Sequence, residues 1–130
     1  MLITRLDDYQ SWMVSHRGSG VLIDPWLTPE PITGSFDRVH TTFTTIDDLR
    51  SQGDRIAAVL LCTGVNDHTR PETLALLRDV PVYGPSRAAA IARRAGCTAA
   101  VAVKPGRTID IDCRDGGSLR ISVTRTGLPL

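Results

Sequence analysis

Apolar and polar positions change rhythm along this chain, and each change marks a different kind of structure. Over the first 27 residues the rhythm is that of strands. Leu2-Ile3-Thr4-Arg5-Leu6 alternates roughly, Ser11-Trp12-Met13-Val14-Ser15 is a second strand candidate, and Val21-Leu22-Ile23 is an apolar run ending at Asp24-Pro25. Proline cannot donate to a sheet ladder, so Pro25 should close that strand. Gly18-Ser19-Gly20 supplies a turn, and the whole reads as an antiparallel meander with a tight turn near residues 17–20. Residues 28–45 lose the rhythm: Pro29, Pro31 and many Thr and Ser residues make an irregular segment, with Phe36, Val39, His40 and Phe43 as candidate anchors. Loops of this length are uncommon unless they carry function or disorder. Thr45 then suits the N-cap of a short helix with Asp47 and Asp48 in its first turn and Gly53 at its end.

From residue 56 the pattern is strand, helix, strand. Ile56–Leu61 is a continuous apolar run, as expected for a strand buried on both faces. A polar loop, Thr63–Arg70, leads to Pro71-Glu72-Thr73-Leu74, which opens a helix with proline in its first turn. Val80–Tyr83 is a short strand. Ser86 can cap a helix from Arg87 to Ala95, with Gly96 at its C′ position. Ala99–Val103 is the next strand. Thr108–Cys113 and Leu119–Thr124 flank Asp115-Gly116-Gly117 as a hairpin. The expected fold class is therefore mixed α/β, one domain over residues 1–130, with an antiparallel or mixed sheet and helices on one face.

Composition narrows the classes of function. The 130 residues carry 15 Lys+Arg against 14 Asp+Glu, a net charge of +1, so nothing electrostatic points to a nucleic acid or an anionic membrane. The longest apolar run, Ile56–Cys62, falls far short of the ~20 residues that span a bilayer. Arg5, Asp7 and Asp8 interrupt any reading of the N-terminus as a secretory leader. Cys62, Cys97 and Cys113 form no CxxC pair, and their odd number points to a reducing, cytoplasmic setting with the three as small buried hydrophobes. Trp12 and Trp26 read as core anchors, and Arg87, Arg93 and Arg94 as a solvated helix face.

The candidate chemistry sits in the loop after the apolar strand 56–61. Asp67-His68 there places a carboxylate beside an imidazole, both good ligands for zinc or iron. On the residues alone, Asp67 equally suits capping the following helix or turn with His68 packed on it. Cys62 with His68 as base is a further pairing, although nothing marks Cys62 as a thiolate. Gly18-Ser19-Gly20 is no phosphate loop, since neither Lys-Ser/Thr nor a helix follows.

Several of these segments, in order, resemble the metallo-β-lactamase superfamily, in particular its bacterial metal-dependent hydrolases. They are Leu22-Ile23-Asp24-Pro25-Trp26-Leu27, Asp67-His68 followed by Pro71-Glu72-Thr73-Leu74, Val80–Pro85 with an Ala-rich helix, and Lys104–Thr108. The resemblance implies an αββα sandwich, a metal-dependent hydrolase acting on a small-molecule substrate, Asp67 and His68 as metal ligands, and Asp67 as the residue nearest catalysis. It also implies that Asp24 is a structural aspartate that accepts hydrogen bonds from the motif loop. The family motif reads His-x-His-x-Asp-His, and this sequence has Thr63 and Val65 at the two leading histidine positions. Neither side chain is a serviceable zinc ligand. What the resemblance then leaves is one zinc or other divalent transition metal, weakly bound at Asp67 and His68, or no metal at all, with His16 and His40 as conceivable helpers. Arg125–Leu130 contains no later histidine. The chain corresponds to the N-terminal half of the sandwich, so the apolar inner sheet face is expected to be covered by a second copy in a homodimer. Two functions follow: a divergent hydrolase with weak or absent activity, or a non-catalytic binding or oligomerisation module that kept the fold and lost the metal site.

Overall fold

The computed structural model describes residues 1–31 and 40–125, so the anchors expected at Phe36 and Val39 lie outside the described residues. Strands β1 (Leu2–Arg5), β2 (Trp12–His16) and β3 (Ser19–Ile23) form the antiparallel meander that the alternation predicts. The β2–β3 turn has two residues at positive φ, Arg17 (45°) and Gly18 (74°), the handedness that matches the twist of a two-residue hairpin. From β3 onward the sheet is parallel. Strands β4 (Arg55–Leu60), β5 (Val82–Gly84) and β6 (Ala100–Ala102) add one after another, giving a six-stranded sheet in the order β1-β2-β3-β4-β5-β6.

Parallel neighbours need a crossover, and here each crossover is helical. Helix α1 (Ile46–Ser51) joins β3 to β4, and Thr45 caps it as expected, its Oγ1 accepting the Asp48 amide at 3.1 Å. Helix α2 (Pro71–Leu74), continued by a 3₁₀ turn (Ala75–Leu77), joins β4 to β5. Helix α3 (Ser86–Arg94) joins β5 to β6. It begins one residue earlier than the sequence suggests: Ser86 is its first helical residue, and Pro85 holds the cap position without a side-chain bond. A strand order that always advances in one direction sends right-handed crossovers to one side. Ile46, Leu49, Leu74, Leu77, Ala88 and Ala92 accordingly pack on one sheet face, against Leu22, Val59 and Val82.

The opposite face carries a second layer. Strands β7 (Thr108–Asp112) and β8 (Ser118–Ser122) form a separate antiparallel ribbon. In β7 the burial alternates, with Ile109 and Ile111 inward and their neighbours exposed, the period-2 signature of a half-buried strand. These residues, with Cys113 and Leu119, cover Val21 of β3 and Ala58 of β4. The inner face is therefore not bare: the ribbon covers its centre. Ile3 and Trp12, on the same face of β1 and β2, stay 62% and 38% exposed. Trp12 is thus no core anchor, because the ribbon does not reach the β1–β2 end of the sheet, whereas Trp26 is fully buried. No helix among the described residues is long and apolar enough to cross a membrane.

Candidate functional site

Strand β3 leaves the sheet at Asp24, and the way it leaves builds the site. Asp24 has φ of 44°, in the left-handed region that a residue with a side chain seldom occupies. Such a conformation costs on the order of 1–3 kcal/mol and persists where the surroundings fix it. Three contacts fix it here. The Asp24 amide donates to Leu60 O at 2.9 Å, continuing the parallel ladder one residue past β3. Its Oδ1 accepts the Cys62 amide at 2.7 Å, as expected of a carboxylate serving loop N–H groups. Its Oδ2 lies 2.7 Å from His68 Nδ1. An ionised carboxylate only accepts, so Nδ1 carries a proton. The Nε2 atom faces Asp67 Oδ1 across 3.9 Å.

The 63–70 loop is held by its own residues. Val65 O accepts the His68 and Thr69 amides at 3.0 and 2.9 Å. The Thr69 hydroxyl donates to Thr63 O at 2.6 Å, and Thr63 Oγ1 accepts the Val65 amide at 3.4 Å. Thr63 therefore stitches the loop from within, and Val65 projects outward, 54% exposed. Asp67 is not the cap of α2: Arg70 holds that position, with no side-chain bond there. The Asp67 carboxylate instead accepts the Tyr9 hydroxyl at Oδ2, 2.6 Å away, and the Asp67 carbonyl accepts the Gln10 side-chain amide.

Tyr9 and Gln10 belong to the β1–β2 connection, which a second buried aspartate shapes. Asp7 is fully buried. Its Oδ1 accepts the Tyr9 and Ser11 amides, both at 2.9 Å, and its Oδ2 accepts the Ser11 hydroxyl at 2.8 Å. The Ser11 oxygen in turn accepts the Trp26 amide at 2.8 Å. The segment that follows β3 and the segment that opens α2 also touch each other. The Leu27 amide donates to Thr73 Oγ1 at 3.1 Å, and the Arg70 guanidinium lies 4.9 Å from the Trp26 ring centroid. Arg70, nearly buried, pairs with Glu30 at 3.2 Å. This buried cation was not visible in the sequence as anything but a loop residue.

Of the other sequence candidates, neither helper histidine joins Asp67 and His68. His16 pairs with Ser19 at the turn end of β2 and β3, whereas Asp24 follows the opposite end of β3, roughly 16 Å from Ser19 at the usual strand rise. His40 is stacked on Trp26, centroids 3.6 Å apart, with Nε2 2.8 Å from Trp26 O and 3.6 Å from Asp7 Oδ2. All three cysteines are free; Cys97 and Cys113 are buried as expected, but Cys62, in the loop past the end of β4, is exposed. Its thiol is nonetheless pushed up to about 12, chiefly by the desolvating protein around the sulfur, then by the Asp24 charge and hydrogen bond. A thiol so strongly protonated is no nucleophile at neutral pH.

Among the described residues, no group of three or more His, Cys, Asp and Glu side chains converges to hold a metal. The Asp67 and His68 pair supplies two donors, with a second carboxylate, Asp24, already committed to the far side of the imidazole. That set fits a single weak ion with open positions and does not fit a binuclear centre. No protein-family profile and no curated protein matches the chain.

Proposed function

We propose that this protein is a divergent relative of the metallo-β-lactamase-like metal-dependent hydrolases, with one surviving metal position at Asp67 and His68 and weak or absent hydrolysis. The observation that carries this reading is the Asp24 to His68 contact. A carboxylate on Nδ1 fixes the tautomer and turns Nε2 toward Asp67, the arrangement that histidine ligands of metal sites adopt. A divalent ion held there would supply Lewis acidity. The chain's own residues do the rest: His68 presents a lone pair, Asp67 presents a carboxylate oxygen, and Asp24 holds the imidazole against rotation. On this reading the six-stranded sheet, its helices and the β7–β8 ribbon correspond to part of an αββα sandwich. Three free cysteines support a cytoplasmic setting.

Metal content tests the proposal. Protein purified without chelator and offered zinc or manganese should hold about one ion per chain, lost in Asp67→Ala and His68→Ala. A ratio near zero after metal is offered overturns it.

A second reading, a non-catalytic binding or oligomerisation module, is favoured by Thr63 and Val65, which leave the first metal position without ligands. The exposed Ile3 and Trp12 on the inner face are where a second copy would sit. Light scattering at micromolar concentration decides it: a dimer lost on Trp12→Ser supports the module, and a monomer counts against it.

A further inference from the structure

We propose that the cavity under the open end of the β7–β8 ribbon binds a small amphipathic carboxylate, its apolar body between the two layers and its headgroup at Arg125. Hydrogen bonds tie the ribbon to the main sheet at its turn end. There the Arg114 amide donates to Ser19 Oγ at 2.8 Å and the Asp115 amide to Arg17 O at 3.0 Å. The Arg55 guanidinium donates to Asp112 O at 2.9 Å. At the other end the ribbon bonds only to itself and to the turn that enters it. The Gly106 amide donates to Val123 O at 2.7 Å, and the Val123 amide to Arg107 O at 2.9 Å. Among the described residues no hydrogen bond joins that end to β4 or β5. Packing follows the same gradient. Ile111, Cys113 and Leu119, toward the turn, are buried, whereas Ile121 and Val123, toward the open end, are only partly buried. Leu60 of β4 and Tyr83 of β5, on the sheet beneath, are partly buried too.

Between this roof and floor lies a cavity of about 420 Å³. Small-molecule sites typically measure about 300–1,000 Å³ and combine apolar walls with a few polar groups. Arg125 is the one charged residue among the described lining, and no carboxylate among the described residues stands within ion-pair distance of it. The Tyr83 hydroxyl likewise has no hydrogen-bond partner among the described residues. Cys62, at the same rim, is a protonated thiol and adds no charge. A ligand with an apolar body and one negative end matches this lining. The body takes the walls out of water, and the planar guanidinium fork suits the two oxygens of a carboxylate. The cavity also sits at the carboxyl ends of β4 and β5, where open parallel sheets receive ligands. Neither Asp67 nor His68 lines it, so the inference does not depend on the metal reading.

The test is a calorimetric titration with sodium decanoate below its micellar concentration, joined to methyl NMR. Decanoate should bind and shift the Ile109 and Ile121 methyls, which line the cavity, and leave Ile3, at the uncovered end of the same sheet face, unchanged. Octanoate should bind about tenfold more weakly, because it buries two methylenes fewer. Arg125→Gln, at an exposed position past the end of β8, should weaken decanoate by about three- to fivefold and leave decan-1-ol unchanged. Val123→Trp fills the cavity from its roof and should abolish binding of both. No decanoate binding at millimolar concentration by the folded wild-type chain overturns the site. Binding that moves Ile3 and spares Ile109 and Ile121, or that survives Val123→Trp, puts the ligand elsewhere and overturns it as well. An Arg125→Gln variant that binds decanoate as wild type does, or that loses decanoate and decan-1-ol equally, overturns the carboxylate headgroup.

Discussion

Asp7 and Asp24 are both buried aspartates at the end of a strand, and they do different things because their donors come from different places. Asp7 takes its hydrogen bonds from Tyr9 and Ser11, two and four residues away, so it folds one connection upon itself. Asp24 takes its bonds from Cys62 and His68, 38 and 44 residues away, so it ties the end of β3 to the loop after β4. The first aspartate makes a local shape, and the second makes a site out of two distant segments. A buried carboxylate that takes its hydrogen bonds from close neighbours in sequence is thus a structural device here, with His40 Nε2 3.6 Å away as its distant neighbour. One reached only through a parallel register brings chemistry together.

The comparison breaks most visibly at Asp7. Asp7→Ala leaves the Tyr9 and Ser11 amides without their acceptor, while the Ser11 hydroxyl keeps Asp24 O at 3.1 Å, and buried unsatisfied donors cost about 1–3 kcal/mol each. A loss of about 3–4 kcal/mol is expected in urea unfolding, with little left of the Tyr9 contact to Asp67. A loss below about 1 kcal/mol would show that Asp7 is not what shapes the connection.

Asp24→Asn sharpens the contrast. Its carbonyl oxygen can still accept the Cys62 amide, so the expected stability loss is only about 1–2 kcal/mol. Its NH₂ then faces His68 Nδ1 and makes that atom the acceptor, which moves the imidazole proton to Nε2. Zinc affinity should fall by about 10–100-fold while the fold survives. Nitrogen-15 imidazole shifts check the tautomer, and an unchanged tautomer contradicts the argument.

The smallest effect is at Cys62, whose thiol lies under the influence of Asp24. A native pKa of about 12 against an ordinary 9.0 means that the folded chain keeps a proton the unfolded chain loses. Stability from this group is therefore full below pH 9.0 and is lost as pH rises toward about 12. Iodoacetamide at pH 8 should alkylate native Cys62 about 100-fold or more slowly than an unfolded thiol. In Asp24→Asn the rate should rise only in part, because desolvation is the larger cause.

Much of the fold was legible because the signals were local. Thr45 as a cap, Gly96 at positive φ after α3, and Asp115-Gly116-Gly117 between β7 and β8 each act within a few residues of themselves. Trp12 and Cys62 were misread because their burial depends on how far the β7–β8 ribbon and the neighbouring loops extend, which no local pattern records. At the site, Asp67, His68 and the loop-bonding role of Asp24 came from the sequence. The Asp24 to His68 contact did not, since it exists only through the β3–β4 register, in which Ile23 stands opposite Leu60. Tyr9 was missed entirely. A signal for its setting was present, because Asp followed two and four residues later by free amides is a common local turn arrangement. What that turn would then touch, 58 residues away, was not in the pattern.

The strand order has a consequence for how the molecule comes into being. Every strand of the main sheet pairs with the strand made just before it, from β1 through β6. A growing chain can therefore dock each new strand on a finished edge, and no strand has to be inserted between two others. Loop closure is short within the β1–β3 meander and longer at each parallel pairing that follows, so the meander is the part expected to form first. The β7–β8 ribbon, which pairs only with itself, arrives as a ready-made hairpin on a sheet already in place.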